Sequence, residues 1–400
     1  MNVDELVRDS LREQAAEQPA LGPGFAERVL AVRRRRRTRA LASVAAAIAA
    51  VVAFAVAVPL LDAGEDDARL ANVSAHPDQT PPRDMIAAGD VAMAAYYTWD
   101  TAKQADGREF AVRTYRLLDR KTGTYVKTTK WSRVAVAPGM RTAAVLERNL
   151  PAKRIGLLNM LTGEVERWIP VDHGVADVDF SPDGGKIVAT TYSKNPDLLR
   201  HKERWDSDRD GEKDWVVRDD QEGHTGFYVL DVASGKGSWS ETTVVDALGT
   251  QDFAFSRNGK LLYSGTTSPP YRQYYDFAGK QVAAPANEAH VVWRNASGLS
   301  PDGKFVAGSY FRGPHQGGQP FSALFDPLTG KLVTTVRGDR LLAWVDNKRL
   351  IAWDYTRGSK ERRDRLALVT IGTDEVVPLS GLRSGSDGAA AYWTPVFAER

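Results

Sequence analysis

The 400-residue sequence contains no cysteine. Disulfide bonds, thiolate nucleophiles and cysteine-ligated zinc sites are therefore excluded. The same absence excludes a lipid-modified cysteine as a membrane anchor. It does not fix the compartment, because extracytoplasmic proteins can form disulfides but do not require them.

Motifs of hydrolytic and metal-dependent catalysis are also scarce. The six histidines include no pair at His-x-x-x-His spacing, and no Gly-x-Ser-x-Gly nucleophile elbow occurs. The Ser-Pro-Asp-Gly-Lys segment at Ser300 lacks the later glycine and aromatic spacing of a sialidase Asp-box. We therefore predict no catalytic residues and expect a protein that is not an enzyme.

A large excess of one charge is missing too, since the net charge is only +2. Residues 1–39 hold nine Lys or Arg against six Asp or Glu, and the remainder holds 44 against 45. This balance argues against a large nucleic-acid footprint, so we expect no nucleic-acid partner.

One long hydrophobic run is present. Residues 40–61, ALASVAAAIAAVVAFAVAVPLL, carry no charge and are long enough for a helix that spans a bilayer of about 30 Å. RRRRRTR precedes this run and DAGEDD follows it, so the positive-inside rule places residues 1–39 in the cytoplasm and the later residues outside. We predict a single-pass anchor in the cell membrane, with a cleaved signal peptide as the alternative.

The segments that flank this run are short. In residues 1–39, Val3, Leu6, Val7 and Leu11 are at helical spacing, which predicts one amphipathic helix before the arginine-rich flank. A short helix, one span and an external domain is also the architecture of membrane-bound anti-sigma factors, although residues 1–39 lack the His and Cys of their zinc-binding form. Residues 62–85 are rich in Asp, Pro and Ala and predict a flexible linker.

Residues 86–400 contain a repeat. Buried strands are followed by equivalent turns at Ala137, Ser181, Ser256, Ser300 and Val345, with spacings of 44, 75, 44 and 45 residues. A unit of about 44 residues is typical of a four-stranded propeller blade. The longer spacing predicts an insertion at about residues 194–224.

A second turn in each unit, of the Asp-x-x-Thr-Gly type, completes the pattern of hairpins. Five full units leave strands near Val91, Phe110 and Thr124, and the missing first strand is present at the C-terminus in residues 389–397. We predict an all-β, six-bladed β-propeller closed by both ends of the domain, with seven blades as the alternative. We expect a monomeric domain.

The Ser-Pro-Asp-Gly turns at Ser181 and Ser300 resemble the WD40-like repeats of TolB-type β-propellers, in a membrane-anchored form typical of actinobacterial sequences. The resemblance covers about residues 86–400, but the Gly-His and Trp-Asp pairs of true WD40 repeats are absent. It implies a binding platform and does not identify a ligand. The residues Ser181, Asp183, Ser300 and Asp302 are expected to shape turns and not to perform chemistry.

The insertion contains the strongest metal-binding pattern. In WDSDRDGEKDWVV, the residues Asp206, Asp208, Asp210 and Asp214 surround a sharp bend at Gly211. Alternate carboxylates at a tight turn supply the oxygen ligands that Ca²⁺ prefers. The pattern resembles the calcium loops of integrin-type propellers, whereas Val217 stands where an EF-hand has Glu. We predict a Ca²⁺ site here, with a solvated charged loop as the alternative.

The long connections between second and third strands predict the binding face. They are rich in aromatic and arginine side chains, which suit contact with a partner. The candidate binding residues are Tyr271, Arg272, Arg312, His315, Tyr355 and Arg357. We expect a module that binds a protein, peptide or glycan at the cell envelope, in sensing or scaffolding. The alternatives are a lactonase-like hydrolase with a carboxylate or metal site in the central channel and an anti-sigma-like regulator.

Overall fold

The computed structural model describes residues 72–103, 109–201, 215–217, 224–242, 252–266, 269–291, 297–310, 320–357, 362–384 and 392–400. These residues form strands and turns, and none of them is helical. Within these ranges there is accordingly no helix that could cross a membrane. The predicted cytoplasmic segment 1–39, the span 40–61 and the Ca²⁺ ligands Asp206, Asp208, Asp210 and Asp214 lie outside the described residues.

The strands follow one another as antiparallel hairpins. The first are β1 (Val73–Ser74), β2 (Ala87–Ala88), β3 (Val91–Lys103), β4 (Glu109–Asp119) and β5 (Thr124–Thr128). Next come β6 (Trp131–Val136), β7 (Thr142–Glu147), β8 (Ala152–Asn159), β9 (Glu164–Phe180), β10 (Lys186–Thr191), β11 (Leu199–His201), β12 (Trp215–Val217), β13 (Gly226–Asp231) and β14 (Gly237–Glu241).

The second half of the domain continues the pattern with shorter strands. These are β15 (Ala254–Phe255), β16 (Leu262–Gly265), β17 (Arg272–Tyr275), β18 (Gln281–Val282), β19 (Val306–Tyr310), β20 (Phe321–Phe325) and β21 (Leu332–Arg337). The last are β22 (Arg340–Trp344), β23 (Arg349–Arg357), β24 (Arg362–Thr370), β25 (Val376–Pro378), β26 (Arg383–Ser384) and β27 (Trp393–Glu399).

The sheets repeat one order of pairing, in which each strand lies beside the next strand of the chain. β6, β7, β8 and β9 pair in sequence, as do β15 to β18 and β22 to β25. The long strand β9 pairs with β8 through its first half and with β10 through its second half, so it serves two successive units. The first strands of successive units also contact one another, β27 with β6, β6 with β9 and β9 with β15. The arrangement is all-β and propeller-like.

The C-terminal strand completes the first sheet. β27 is antiparallel to β3, with Trp393 opposite Thr98 and Glu399 opposite Val91. This is the pairing that the sequence predicted between the end of the chain and the strand near Val91. Within the described residues, the sheet edge that β3 would otherwise expose is thereby covered.

The hydrophobic core lies between neighbouring sheets. Trp131 and Val134 of β6 pack with Ala94 and Tyr115 of the first sheet. Ile155 of β8 likewise belongs to a cluster that includes Ile187 of β10. Strands whose central residues are buried on both faces, such as β7, need continuous apolar runs, which is how Ala143 to Leu146 read in the sequence.

Ser181 and Ser300 have the predicted turn role. Ser181 Oγ donates to Asp183 Oδ1 at 2.5 Å and accepts from the Lys186 amide at 2.8 Å. Ser300 Oγ donates to Asp302 Oδ1 at 2.8 Å, and Gly303 has a φ of 72°, which favours glycine. Both hydroxyls are used inside their own turns.

The domain begins before the predicted boundary at residue 86. Residues 72–85, which we predicted as part of the flexible linker, include β1. They form hydrogen bonds with β3 and with the residue that follows β25. Tyr96 Oη donates to the Pro82 carbonyl at 2.7 Å, and the His76 amide donates to the Leu379 carbonyl at 2.9 Å. The sequence of residues 72–85 shows neither helical nor strand periodicity, but backbone groups of this segment form hydrogen bonds with residues of the sheets.

Candidate functional site

Charged side chains occupy one equivalent position in three successive repeats. Arg133 lies four residues before Ala137, Asp177 four before Ser181, and Asp252 four before Ser256. Arg133 is on β6, Asp177 is on β9, and Asp252 lies two residues before β15. In a propeller-like array the first strand of each unit faces the central axis. The three side chains therefore converge at the inner end of the sheets.

Arg133 is the centre of this group. Its Nε donates to Asp177 Oδ1 at 3.0 Å, which links β6 to β9. Its Nη1 and Nη2 donate to Asp197 Oδ2 and Oδ1 at 2.9 and 3.1 Å. A guanidinium shared between two carboxylates in this way is fixed in orientation.

Asp197 comes from the connection that follows β10. It also accepts two hydrogen bonds from Arg113 of β4, at 2.7 and 3.2 Å. The Asp197 carbonyl accepts from the Ala111 amide at 2.8 Å, so the connection is held at its backbone as well. The guanidinium of Arg113 lies 3.9 Å from the centre of the Trp99 ring. Asp197 thus joins the first three units at the face that carries the long connections.

Asp252 and Tyr192 form the other side of the group. Tyr192 Oη donates to Asp252 Oδ1 at 2.8 Å. Burial raises the pKa of the Asp252 carboxyl, while the positive charge of Arg133 lowers it. Burial, and then the neighbouring charge of Asp252, raise the pKa of Asp177 well above its usual value. The carboxyls of Asp177 and Asp252 therefore compete for the same positive charge.

Asp179 extends the acidic surface toward the turns. It is two residues after Asp177 on β9, so both side chains point to the same face of the strand. Burial raises the pKa of Asp179 to about 6, although its carboxylate accepts a hydrogen bond from the Phe180 amide. Burial raises the pKa of Tyr263 of β16. The nearby charge of Arg272 lowers this pKa, and that of Asp179 raises it.

This group, which we call the channel cluster, contains Arg113, Arg133, Asp177, Asp179, Asp197 and Asp252. Four carboxyl groups face two guanidinium groups, so full ionisation would leave two negative charges in excess. Raised carboxyl pKa values are the expected response to such an excess in a partly desolvated place. The cluster can accept a further cation or hold a proton near neutral pH. Among the described residues, no group of His, Asp or Glu has the arrangement of a metal site.

The predicted binding residues are separated in the structure. Tyr271 is half-buried with a φ of 52°. Arg272 is half-buried, its guanidinium lies 3.8 Å from the centre of the Tyr263 ring, and its Nη1 is 3.9 Å from Glu288 Oε2. Tyr355 is buried on β23, and Arg357 ends that strand. Arg312 and His315 lie outside the described residues. Of the six, Arg272 has a described link to the channel cluster, through Tyr263.

The sequence reasoning missed the channel cluster, although a usable signal was present. The signal lies four residues before the equivalent turns of the repeat. This position holds Arg, Asp and Asp in three successive units. In a later unit the equivalent residue is Leu341 of β22, which is apolar and buried. The first strand of a blade faces the central axis of a propeller, so charged residues at this position indicate a polar channel.

A second ion cluster lies near the end of the sheet array. Arg337 Nε donates to Asp354 Oδ1 at 2.9 Å, and Arg365 Nη2 donates to Asp354 Oδ2 at 3.2 Å. Asp354 is fully buried. Here one carboxylate meets two guanidinium groups, so the charge balance is opposite to that of the channel cluster.

No protein-family model matches the chain, and no curated protein sequence is similar to it. Among solved structures, TolB from Acinetobacter baumannii is similar with a TM-score of 0.34 and 16% identity, over 73% of this chain and 68% of that one. The β-propeller domain of Myceliophteria thermophila Cps50 (Swd1) has a TM-score of 0.32 and 11% identity, over 68% and 96%. The acylaminoacyl peptidase of Pyrococcus horikoshii has a TM-score of 0.37 and 13% identity, over 73% and 46%.

Proposed function

We propose that this chain is a membrane-anchored, six-bladed propeller of the TolB-like type that binds a partner at the cell envelope. We further propose that its channel cluster receives a basic group of a protein or peptide. The observation that supports this most directly is the excess of carboxyl groups over guanidinium groups in the cluster. An ammonium or guanidinium group of a ligand would supply the missing positive charge.

The pairing of the strands supports six blades. Four-stranded units are formed by β27 with β3 to β5, by β6 to β9, by β9, β10, β13 and β14, by β15 to β18, and by β22 to β25. Between the last two, β19 to β21 pair in order, and Leu299 makes a bridge to Val306 where a first strand belongs. Six units at the predicted spacing support six blades.

The position of Asp197 indicates where a ligand enters. Asp197 belongs to a connection between a second and a third strand, and Tyr192 lies at the beginning of the same connection. The connections of this kind were predicted to form the binding face. A partner that contacts them could insert one basic side chain between Asp177 and Asp252, whose two carboxyls share the single positive charge of Arg133.

The test uses the full chain and peptide probes. A capped, fluorescein-labelled Gly-Ser-Lys-Ser-Gly peptide and its norleucine and acetyl-lysine counterparts are titrated in low salt. We expect the lysine peptide to bind at least tenfold more tightly than the two neutral ones. Asp177→Asn with Asp252→Asn should remove that preference, whereas Asp346→Asn in a surface turn should keep it. Equal binding of all three peptides to the unaltered chain would refute a basic ligand.

A hydrolase is a second candidate, favoured by the carboxyl groups whose pKa is raised. A carboxyl whose pKa is raised holds its proton to higher pH and can act as a general acid. Lactone and ester substrates should then be hydrolysed at a rate that Asp177→Asn abolishes and Asp346→Asn leaves unchanged. Absence of turnover with a broad lactone and ester panel would leave the binding module as the function.

The membrane anchor can be tested through the lack of cysteine. A single cysteine placed at Asp4 or at the exposed Lys236 would be the only thiol of the chain. With residues 40–61 as an uncleaved anchor, a membrane-impermeant maleimide should label intact cells at position 236 and not at position 4. Labelling at position 4 would contradict the predicted topology.

A further inference from the structure

The outer side of the first two sheets contains a groove that the proposed channel does not involve. It has a volume of about 400 Å³ and lies between β5 and the turn after β8. Its floor is apolar, formed by buried side chains of Leu118, Trp131, Leu158 and Met160. Val126 and Leu161 line it with exposed fractions of 54% and 44%. We call it the lysine-rimmed groove.

The rim of this groove is positively charged. Lys121, Lys127 and Lys130 line it and are exposed. Among the described residues, none of the three forms an ion pair. The lining includes one carboxylate, Asp119, whose Oδ1 accepts a hydrogen bond from the Lys121 amide inside its own turn. The groove therefore offers apolar surface bordered by three ammonium groups, none of which forms an ion pair with a carboxylate of the described residues.

The edge strand beside the groove already accepts one extended segment. The Met85 amide donates to the Gly123 carbonyl at 2.8 Å, and the Tyr125 amide donates to the Arg83 carbonyl at 2.9 Å. In an antiparallel strand, alternate residues direct their backbone groups to the same side. The amide and carbonyl of Lys127 consequently point to the same edge as those of Tyr125, beyond the part that residues 83–85 cover.

We infer that the lysine-rimmed groove binds an extended acidic peptide segment of another protein, which adds to the edge of β5 at Lys127. Apolar side chains of the segment enter the groove between Val126 and Leu161, and its carboxylates meet the three lysines. Strand addition supplies the backbone hydrogen bonds, and the groove with its charges supplies the selectivity.

The chain contains a matched control for this surface. Leu161 and Leu328 occupy the same place in the turns Met160-Leu161-Thr162-Gly163 and Pro327-Leu328-Thr329-Gly330. Both are exposed, Leu328 by 63%, but Leu328 is not part of the groove lining. Leu161→Asp and Leu328→Asp therefore make the same change inside and outside the groove.

The experiment titrates the full chain with capped, labelled seven-residue peptides. The probe alternates Glu and Leu, and the two comparison peptides alternate Lys with Leu and Glu with Ser. We expect saturable binding of the Glu-Leu peptide at least tenfold tighter than either comparison, and weaker in 0.5 M salt. Lys121→Glu with Lys130→Glu, and separately Leu161→Asp, should weaken it at least tenfold. Leu328→Asp and Asp177→Asn should leave it unchanged.

Other outcomes would overturn the inference. No saturable binding to 1 mM, or equal binding by the charge-reversed variant, would mean that the lysines only protect an edge strand from pairing. Much tighter binding after Asp62, Glu65, Asp66 and Asp67 are changed to their amides would identify the chain's own segment as the occupant. Loss of concentration-dependent self-association in the Leu161→Asp variant would identify a second copy.

Discussion

Asp179 and Asp183 are four residues apart, yet their surroundings act on them in opposite ways. Burial raises the pKa of Asp179 to about 6. Hydrogen bonds from Ser181 and the Gly185 amide lower the pKa of Asp183 in its exposed turn. Burial and turn hydrogen bonds therefore shift the pKa values of two nearby carboxyl groups in opposite directions on a single stretch of chain.

Asp179→Asn should stabilise the free protein. At pH 7.5 the native state carries an unfavourable charge at this position, and the amide can still accept from the Phe180 amide. We expect the free energy of unfolding to rise by about 2 kcal/mol at pH 7.5. At about pH 3 or below the carboxyl is protonated in both states, so the gain should vanish. Denaturant unfolding at both pH values measures it, and Asp183→Asn should instead cause a small loss at pH 7.5.

His224 gives a pH dependence of the opposite sign. It is buried, its Nε2 lies 3.1 Å from Ser264 Oγ, and burial lowers its pKa to about 4. Below about pH 6.5 the unfolded chain binds a proton at this residue and the native state does not. The stability that neutral His224 contributes is therefore complete above pH 6.5 and lost as the pH falls toward 4.

The expected loss is on the order of 3 kcal/mol between pH 7 and pH 4. It should appear as a change in the difference between the unfolding free energies of the unaltered chain and His224→Gln. That difference should be constant above pH 7. A difference that does not vary from pH 7 to pH 4 would show that His224 is protonated in the native state at low pH.

Residues whose role is local were predictable, and residues whose role depends on distant contacts were not. Ser181 and Ser300 were predicted correctly because a turn is formed by residues next to one another in sequence. Arg133 needs Asp177 and Asp197, which come from other units, and sequence distance hides that relation. Arg272 was predicted to face a ligand, and its contact with the Tyr263 ring depends on packing that no local pattern encodes.

At the scale of elements, buried serines close three of the turns between first and second strands, at Ser181, Ser256 and Ser300. Ser300 is fully buried, and its Oγ accepts from the Lys304 and Phe305 amides at 3.0 Å. Ser234, in a turn between third and fourth strands, makes its hydrogen bonds in exposed positions. Loss of a buried hydroxyl leaves unpaired amides, whereas water replaces an exposed one.

Ser300→Ala should therefore lower the free energy of unfolding by about 2 kcal/mol. Ser234→Ala should lower it by less than about 0.5 kcal/mol. Thermal or denaturant unfolding of the two variants gives the comparison. Equal effects would mean that the Ser300 hydroxyl does not close its turn in solution.

The repeat spacing gave the order of the elements but not all of their boundaries. Strand β9 runs through two units without a break, which a reading of separate blades does not anticipate. Residues 72–85 join the sheets because carbonyl and amide groups of Pro82 and His76 find partners on β3 and beyond β25. Composition alone favoured a linker for that segment, since partners so far away in sequence leave no local pattern.

At the scale of the whole molecule, the closing strand β27 depends on Trp393. This side chain is fully buried, 5.5 Å from the Tyr96 ring and 5.1 Å from the Trp353 ring between centres. Its neighbour Tyr392 is 41% exposed. Substitutions of these two adjacent aromatic residues therefore test whether the pairing of β27 with β3 depends on the buried side chain.

Trp393→Ala should cost about 3–5 kcal/mol of unfolding free energy, because the cavity lies where the two ends of the domain meet. Tyr392→Ala should cost about 1 kcal/mol or less. Hydrogen exchange should also show loss of protection in β3 for the first variant alone. Protection retained in β3 would mean that β27 does not depend on Trp393.

The pairing of β27 with β3 also sets an order of events in time. The sheet whose strands are synthesised first receives its innermost strand from the last residues of the chain. Contacts between such distant segments form slowly, and until they form β3 offers an open edge to other chains. A chain that stops before residue 393 would keep that edge exposed. Pairing of β27 with β3 therefore removes an edge that could otherwise associate with other chains.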